Sequence, residues 1–292
     1  MKICPDCNHV YSSNDWQCPN CDSRPHSEGS FLVFAPESNI TDAGFKPEFF
    51  EKLFNLEANN FWFKVRNQLI VWALKKYFPG KETFLEIGCG TGFVLSQIES
   101  QIPQLSLSGS EIHVDGLNFA KKRLQKTRLW QMDARSIPFE NEFDVIGAFD
   151  VLEHIQEDEK VLQEMHKALC PGGGIVLTVP QHPFLWSVAD EHACHERRYT
   201  AAELKEKVEK AGFTTVRATS FVSFLLPFMM VSRLVSRPSS KKYDPFAELK
   251  INSVLNWVFE RVLKLEAAMI RAGISLPLGG SLLLIAFKVD DK

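Results

Sequence analysis

Four cysteines near the N-terminus have a spacing that suits a metal ion. Cys4 and Cys7 form one C-x-x-C pair, and Cys18 and Cys21 form a second pair ten residues later. Tetrahedral Zn²⁺ favours four thiolates, and two such turns each present a pair of them. A redox dithiol and iron–sulfur ligation are the alternatives, but redox pairs usually open a helix in a βαβ unit, which this segment lacks. The pattern predicts a structural zinc ribbon over residues 1–26, without indicating its partner.

A glycine-rich segment suits a polar ligand. Gly88, Gly90 and Gly92 lie in the sequence FLEIGCGTG, between a predicted strand and a predicted helix. Glycines allow a tight turn and let a ligand approach the backbone, and a helix N-terminus favours a polar group. Alone, the segment could be an ordinary turn between strand and helix.

Carboxylates after the following strands strengthen the ligand interpretation. Glu111 ends the second predicted strand, where a carboxylate can accept hydrogen bonds from both ribose hydroxyls. Asp133 follows the third strand, where it could accept a hydrogen bond from an adenine amino group. A nicotinamide dinucleotide is the main competing ligand, but its loop would carry the third glycine one residue later.

The elements that must position these residues alternate from residue 83 onward, which is typical of a parallel sheet covered on both faces. Strands are predicted at 83–87, 105–111, 128–131, 143–149, 174–179, 213–220 and 281–289. Helices are predicted around 49–56, 60–77, 92–100, 114–126, 157–169, 201–211 and 245–272.

Residues 83–180 resemble the class I methyltransferase core, and the quinone-biosynthesis and small-molecule O-methyltransferases in particular. The matching motifs are Glu86–Gly92, Glu111, Asp133-Ala134, Asp150–His154 and Leu169–Gly173. The resemblance implies a doubly wound α/β fold with a seven-stranded, mostly parallel sheet whose last strand is antiparallel. It also implies S-adenosylmethionine as cofactor, with Asp150 near the sulfonium. The implied cofactor-binding residues are Glu86, Gly88, Cys89, Gly90, Gly92, Glu111, Asp133, Ala134 and Asp150.

Histidines near the same sheet edge are candidates for the acceptor side. Methyl transfer to a hydroxyl or amine needs an aligned nucleophile and a group that removes its proton. His154 follows the fourth strand, and His182 and His195 lie in a loop after the fifth. Any one of them could instead be a surface or structural histidine. We expect His154 to be the first candidate, followed by His182 and His195; Glu153 and His154 could alternatively bind a divalent cation.

An insertion at 221–279 separates the last two predicted strands. It holds an apolar segment, a basic patch at 237–242 and a long amphipathic helix. One interpretation is a helical cap on an ordinary hydrophobic face. The other is an interfacial element at 221–242, flanked by Arg233 and Lys242, that contacts lipid headgroups and favours a lipid-like or polyprenyl-linked acceptor. Pro227 and the short length exclude a spanning helix.

Length and composition fit one large core with small appendages. We expect the ribbon at 1–26, a linker at 27–45 and the methyltransferase domain at 46–292. The formal net charge of −3 provides no general attraction for nucleic acid. The N-terminus lacks an apolar signal-peptide segment, so we expect a cytoplasmic protein, with or without peripheral membrane contact.

Three functions compete at this stage. The first is methylation of a small molecule, with oxygen as the expected target. The second is RNA methylation with the ribbon as a docking module; the acidic charge and the sequence FDVLEH after the fourth strand argue against it. The third is a non-enzymatic scaffold, against which the intact cofactor set argues.

Overall fold

The computed structural model describes residues 1–35, 47–235 and 251–289, without the side chains of 232–235. The strands are β1 (Lys2–Ile3), β2 (Val10–Tyr11), β3 (His26–Glu28), β4 (Phe31–Val33), β5 (Thr83–Ile87), β6 (Ser106–Glu111), β7 (Arg128–Gln131), β8 (Phe143–Phe149), β9 (Leu169–Pro180), β10 (Phe213–Phe221) and β11 (Ser281–Lys288). The helices are α1 (Phe49–Leu56), α2 (Phe61–Tyr77), α3 (Phe93–Gln101), α4 (Val114–Arg123), α5 (Asp158–Ala168), α6 (Val188–His192), α7 (Ala201–Lys210), α8 (Leu226–Val235) and α9 (Ser253–Arg271).

The central sheet confirms the predicted fold class. Its strand order is β10-β11-β9-β8-β5-β6-β7-β4-β3. The strands from β4 to β9 run parallel to one another, whereas β3 is antiparallel to β4, and β11 is antiparallel to both β9 and β10. Central strands β5 and β8 are buried almost throughout because helices cover both faces. One hydrophobic cluster includes side chains of α2, α3, α4 and α9, and the other includes side chains of α5 and α7.

All seven predicted strands are present as β5 to β11, and two further strands extend the sheet. Within the described ranges it has nine strands, because β3 and β4 form a hairpin and β4 pairs in parallel with β7. The segment 27–45, predicted to be a linker, therefore contributes to the sheet. Each of these strands has only three residues, too few for an alternating pattern to stand out, yet Phe31 and Val33 are buried. Residues 36–45 of the predicted linker lie outside the described chain.

The insertion before β11 contains two described helices. α8 follows β10, and α9 begins where the Asn252 side chain accepts a hydrogen bond from Leu255 N at 2.9 Å. Gly273, at φ +103°, follows the end of α9, as predicted. The basic patch at 237–242 and the predicted helix start at 245–250 lie outside the described residues. Among the helices that are described, none has the length and apolar character needed to cross a bilayer.

Candidate functional site

A cavity of about 550 Å³ opens where β5, β6, β7 and β8 end, the edge at which parallel sheets bind ligands. Its polar wall comes from this edge of the sheet. Its apolar wall comes from α1 and α2, through Phe49, Phe50, Trp62 and Phe63. Every residue predicted to bind the cofactor lines the cavity except Gly92, which is the N-cap of α3.

Glycine is required at two points of the loop between β5 and α3. Gly88 has φ +65°, and a Cβ there would lie 2.5 Å from Val151 Cγ2. Gly92 has φ +73°, and its Cβ would lie 3.0 Å from the backbone of Ala120. Any side chain would therefore be strained and would push the loop away from its neighbours. The glycines fix the loop against the cavity.

The Glu111 carboxylate is already oriented by the backbone. Its Oε2 accepts a hydrogen bond from Gly90 N at 3.0 Å, and its Oε1 accepts hydrogen bonds from Ile112 N at 2.9 Å and His113 N at 3.2 Å. Burial raises its pKa, against the opposing effect of these amides. A carboxylate offers roughly four acceptor positions, so binding two ribose hydroxyls requires Glu111 to release at least one amide.

Glu86 provides a second carboxyl group, deep in the cavity. Only 2% of Glu86 is exposed, and its Oε2 has no hydrogen-bond partner. Burial raises its pKa well above the ordinary value, and the nearby Arg66 acts against that rise. An unpartnered buried carboxyl that lines a cavity is suited to a cationic ligand group, such as an amino acid's ammonium.

Asp133 and Asp150 are each paired with an arginine. Arg135 Nε lies 3.0 Å from both carboxylate oxygens of Asp133, and Arg135 also contacts Glu157. Asp150, at φ +58°, accepts a hydrogen bond from Arg66 of α2, whose guanidinium lies 4.6 Å from the Trp62 ring centroid. The sequence patterns did not indicate either arginine. Arg66 lies in α2, outside the sheet motifs, and a separation of two residues, as between Asp133 and Arg135, does not by itself indicate that two side chains pair.

Two of the three predicted histidines meet at the cavity. The rings of His154 and His195 are 4.7 Å apart, and both line the cavity. Burial, with a smaller effect of His195, lowers the pKa of His154 to about 3. His182 is not part of this group: it does not line the cavity and its ring stacks on the exposed Phe184 at 5.0 Å.

His195 is held by a buried aspartate that sequence reasoning did not select. His195 Nδ1 lies 2.9 Å from Asp190 Oδ1, which also accepts a hydrogen bond from Arg198 Nε at 2.7 Å. Burial acts to raise the pKa of Asp190, but His195 and Arg198 outweigh it and lower the value to about 2. Asp190 is therefore an anion that orients His195 at neutral pH.

Glu153 adds a carboxyl group beside the two histidines. It is fully buried, neither carboxylate oxygen has a hydrogen-bond partner, and burial raises its pKa well above the ordinary value. Ligand atoms of Glu153, His154 and His195 all lie within 4.8 Å of one another. Carboxylate oxygens and imidazole nitrogens are common ligands of divalent cations.

The N-terminal cysteines form a separate cluster in the ribbon. All four Sγ atoms lie within 4.8 Å of one another, and the pairs Cys4–Cys21 and Cys7–Cys18 are each 3.6 Å apart. Sulfur atoms around tetrahedral zinc, with Zn–S bonds of about 2.3 Å, are separated by about 3.8 Å. The four cysteines therefore fit a structural zinc ion.

Comparisons with known proteins agree with this geometry. Residues 85–177 match the family described as a methyltransferase domain. A Mycolicibacterium smegmatis protein, named as an S-adenosylmethionine-dependent methyltransferase, is 26% identical over 54% of this chain and 61% of its own length. The ubiquinone biosynthesis O-methyltransferase of Psychrobacter arcticus is 25% identical over 44% of this chain and 58% of its own.

A solved structure supports the fold alone. It is the complex of the Haloferax volcanii Trm112 methyltransferase activator with a methyltransferase, at a TM-score of 0.55 and 15% identity, covering 84% of this chain and 95% of that chain. The chain spans only 30%, 61% and 36% of the length of the first three curated relatives it matches. The predicted resemblance is confirmed for the domain.

Proposed function

We propose that this chain, whose residues 85–177 form a methyltransferase domain, transfers the methyl group of S-adenosylmethionine to a small-molecule acceptor. The observation that carries the proposal is the single cavity that joins the glycine loop, two buried carboxyl groups and the histidine pair. S-adenosylmethionine supplies an electrophilic methyl group on a sulfonium.

Each part of the cavity has a matching part of the cofactor. Glu86 receives the ammonium group, since its buried oxygen has no other partner. Glu111 receives the ribose hydroxyls, and Asp133 receives the adenine amino group. The apolar side chains that line this end of the cavity would contact the adenine ring; they are Ile112, Met132 and Ala134.

Binding of S-adenosylhomocysteine, measured by calorimetry, tests the cofactor assignment. We expect Glu111→Ala to weaken binding at least tenfold, because a charged hydrogen-bond acceptor is lost. Glu206→Ala, which changes an exposed glutamate on α7, is the matched control and should leave the affinity unchanged. No binding by the unchanged protein would overturn the proposed function.

We assign to His195 the role of the base that removes the acceptor's proton. Because the Asp190 carboxylate pairs with His195 Nδ1, Nε2 is the ring nitrogen that faces away from this partner and can act as a base. The low pKa of His154 makes that histidine a weak base. His195 Nε2 would take the proton of an acceptor hydroxyl, and the bound cofactor would supply the methyl group. With labelled cofactor and cell lipid extract as acceptor source, His195→Gln should slow label transfer at least a hundredfold. Full transfer by this variant would exclude the role.

A divalent cation at Glu153, His154 and His195 is a second arrangement of the same site, and it would orient the acceptor oxygen. Calorimetry with Mg²⁺ and Mn²⁺ alone distinguishes the two. Cation binding by the unchanged protein that disappears in Glu153→Gln would favour the cation arrangement. No cation binding by the unchanged protein would favour the histidine base.

We further propose a lipid-like acceptor, on the strength of an apolar surface formed by α8 and α9. On α9, Leu263 and Ile270 are buried, while Trp257 and Leu265 are 58% and 61% exposed on the opposite side. The Arg261 guanidinium lies 5.3 Å from the Trp257 ring centroid, a pairing suited to lipid headgroups. On α8, Phe228 is 63% exposed.

This surface adjoins the cavity wall. Phe259 of α9 packs against Phe61 with ring centroids 5.4 Å apart, and the next residue, Trp62, lines the cavity. The sequence between the two helices adds Arg237, Lys241 and Lys242. A bilayer that contacts α8 and α9 would thus hold its lipids near the entrance.

Sedimentation with phosphatidylglycerol vesicles tests the surface. We expect the protein to co-sediment at low salt, and the double variant Phe228→Gln/Trp257→Gln to remain in solution. Val216→Gln, at an exposed valine of β10, is the control. If the unchanged protein does not co-sediment, the lipid proposal fails.

RNA methylation stays a prediction that salt-dependent RNA binding would test.

A further inference from the structure

Gln131, the last residue of β7, connects three parts of the chain through one buried side chain. It is fully buried. Its amide oxygen accepts a hydrogen bond from Ala35 N at 3.0 Å, and its amide nitrogen donates to Ala35 O and, at 2.8 Å, to Ile112 O. The backbone carbonyl of Gln131 also accepts a hydrogen bond from Phe34 N at 2.9 Å. Both amide hydrogens are therefore used, one on each side.

On the cavity side, these bonds reach the Glu111 carboxylate through a single peptide group. Gln131 Nε2 donates to the carbonyl of Ile112, and the N–H of the same peptide, which belongs to His113, donates to Glu111 Oε1 at 3.2 Å. Because a peptide group is planar, holding its carbonyl also fixes the direction of its N–H. Gln131 thereby fixes one of the donors that orient Glu111.

On the other side, the same amide holds the chain that leaves the ribbon. Ala35 follows Phe34, and the Phe34 ring lies 4.5 Å from that of Trp16, centroid to centroid. Trp16 stands between the two cysteine pairs and also contacts Phe139 at 5.4 Å. The position of Ala35 therefore depends on a ribbon that its cysteine cluster holds together.

We propose that Gln131 is a positioning residue that couples the folded ribbon to cofactor binding. An ordered ribbon places Phe34 and Ala35, these orient the Gln131 amide, and the amide orients the Ile112–His113 peptide and with it Glu111. The ribbon thus raises cofactor affinity from outside the cavity. This inference rests on the proposed cofactor at Glu111.

A double-variant cycle on the full chain, with S-adenosylhomocysteine affinity measured by calorimetry, tests the coupling. Gln131→Met keeps the length of the side chain and removes its hydrogen bonds; we expect affinity to fall about tenfold. Trp16→Ala, in the ribbon, should lower affinity severalfold in the unchanged background and have no further effect beside Gln131→Met. Gln101→Met, at an exposed glutamine of α3, is the matched control.

A ligand comparison separates positioning from general loss of structure. If Gln131 acts through Glu111, Gln131→Met should weaken an analogue that lacks the ribose hydroxyls much less than S-adenosylhomocysteine. Gln131→Asn, whose shorter amide cannot span both carbonyls, should repeat the pattern if Gln131→Met does not fold. Additive losses from Trp16→Ala and Gln131→Met, or equal losses for both ligands, would overturn the coupling. Failure of the unchanged protein to bind either ligand would instead overturn the proposed function.

Discussion

At the scale of single residues, burial separates the roles of two neighbouring histidines. His154 is held neutral because a charge at its position would be poorly solvated, whereas His195 has an anionic partner in Asp190. The sequence marked both residues as candidates, since both follow strands that end at the ligand edge. Their ranking depends on Asp190, and no spacing rule indicates that its side chain turns toward His195.

The neutral state of His154 predicts an acid-sensitive fold. Its pKa is about 3 in the folded protein and about 6.5 when unfolded, so the unfolded chain binds the extra proton as pH falls below 6.5. The contribution of this residue is fully present above pH 6.5 and is lost toward pH 3, at up to about 1.4 kcal/mol per pH unit. Urea unfolding of the unchanged protein and His154→Gln between pH 7 and 5 measures it.

We expect the free energy of unfolding of His154→Gln to depend less steeply on pH than that of the unchanged protein. His26→Gln, at an exposed histidine of β3, should behave like the unchanged protein. Parallel curves for His154→Gln and the unchanged protein would contradict a neutral His154.

At the scale of elements, a buried ion pair fixes α1 over the cavity. Arg123 of α4 donates to Glu57 Oε2 at 2.5 Å, to Thr91 Oγ1 at 2.7 Å and to the carbonyl of Phe54 at 2.6 Å. Thr91 belongs to the glycine loop, and its hydroxyl donates to the same Glu57 oxygen at 2.6 Å. The cluster therefore joins the wall of the cavity to the loop at its floor.

Removal of Arg123 should leave the buried Glu57 carboxylate without its cationic partner. Burial already raises the pKa of Glu57, with Arg123 as the main opposing influence. We expect Arg123→Met to lower the free energy of unfolding by about 3 kcal/mol and to weaken S-adenosylhomocysteine binding. Denaturant unfolding and calorimetry measure the two effects.

The double variant Arg123→Met/Glu57→Gln should recover part of the stability, because no charge is left buried. Lys122→Met, at the neighbouring residue, serves as the control. A loss no larger than that of the control would mean that the ion pair is not needed for α1 to pack.

The predicted elements from β5 onward are confirmed because long strands and amphipathic helices leave periodic patterns. β9 is longer than predicted: it begins at Leu169, since the backbone of the Pro-Gly-Gly segment continues the strand that was expected only from 174. The hairpin of β3 and β4 and the arginines beside Asp133 and Asp150 were not found. The pairing of β4 with β7 and the contact of Arg66 with Asp150 join distant parts of the chain, which local patterns do not record. Arg135 is only two residues from Asp133, but that spacing alone does not indicate that the two side chains pair.

At the scale of the whole molecule, the ribbon and its hairpin cover the edge of the sheet at β7. An open edge strand presents unpaired backbone groups that can pair with another chain. Here β4 pairs with β7, and Ile3 N donates to the Pro138 carbonyl at 3.0 Å. The ribbon is thus part of the domain's packing.

Loss of the ribbon should therefore expose β7. We expect Cys18→Ser, which removes a fully buried ligand of the cysteine cluster, to lower the melting temperature and to promote aggregation. Scanning calorimetry measures the melting temperature, and light scattering during heating measures the aggregation. Cys170→Ser, at a cysteine outside the cluster, is the control and should remain monodisperse. Equal behaviour of the two variants would show that the sheet tolerates an open edge.

The strand order also determines how far apart the two added segments enter the domain. The hairpin joins the sheet beyond β7, and the helical insertion leaves it from β10 at the opposite border. Eight steps of about 4.8 Å place these borders nearly 40 Å apart. Contacts made by the ribbon hairpin and contacts made by α8 therefore lie at opposite borders of the sheet, and a change in one segment does not require the other to repack.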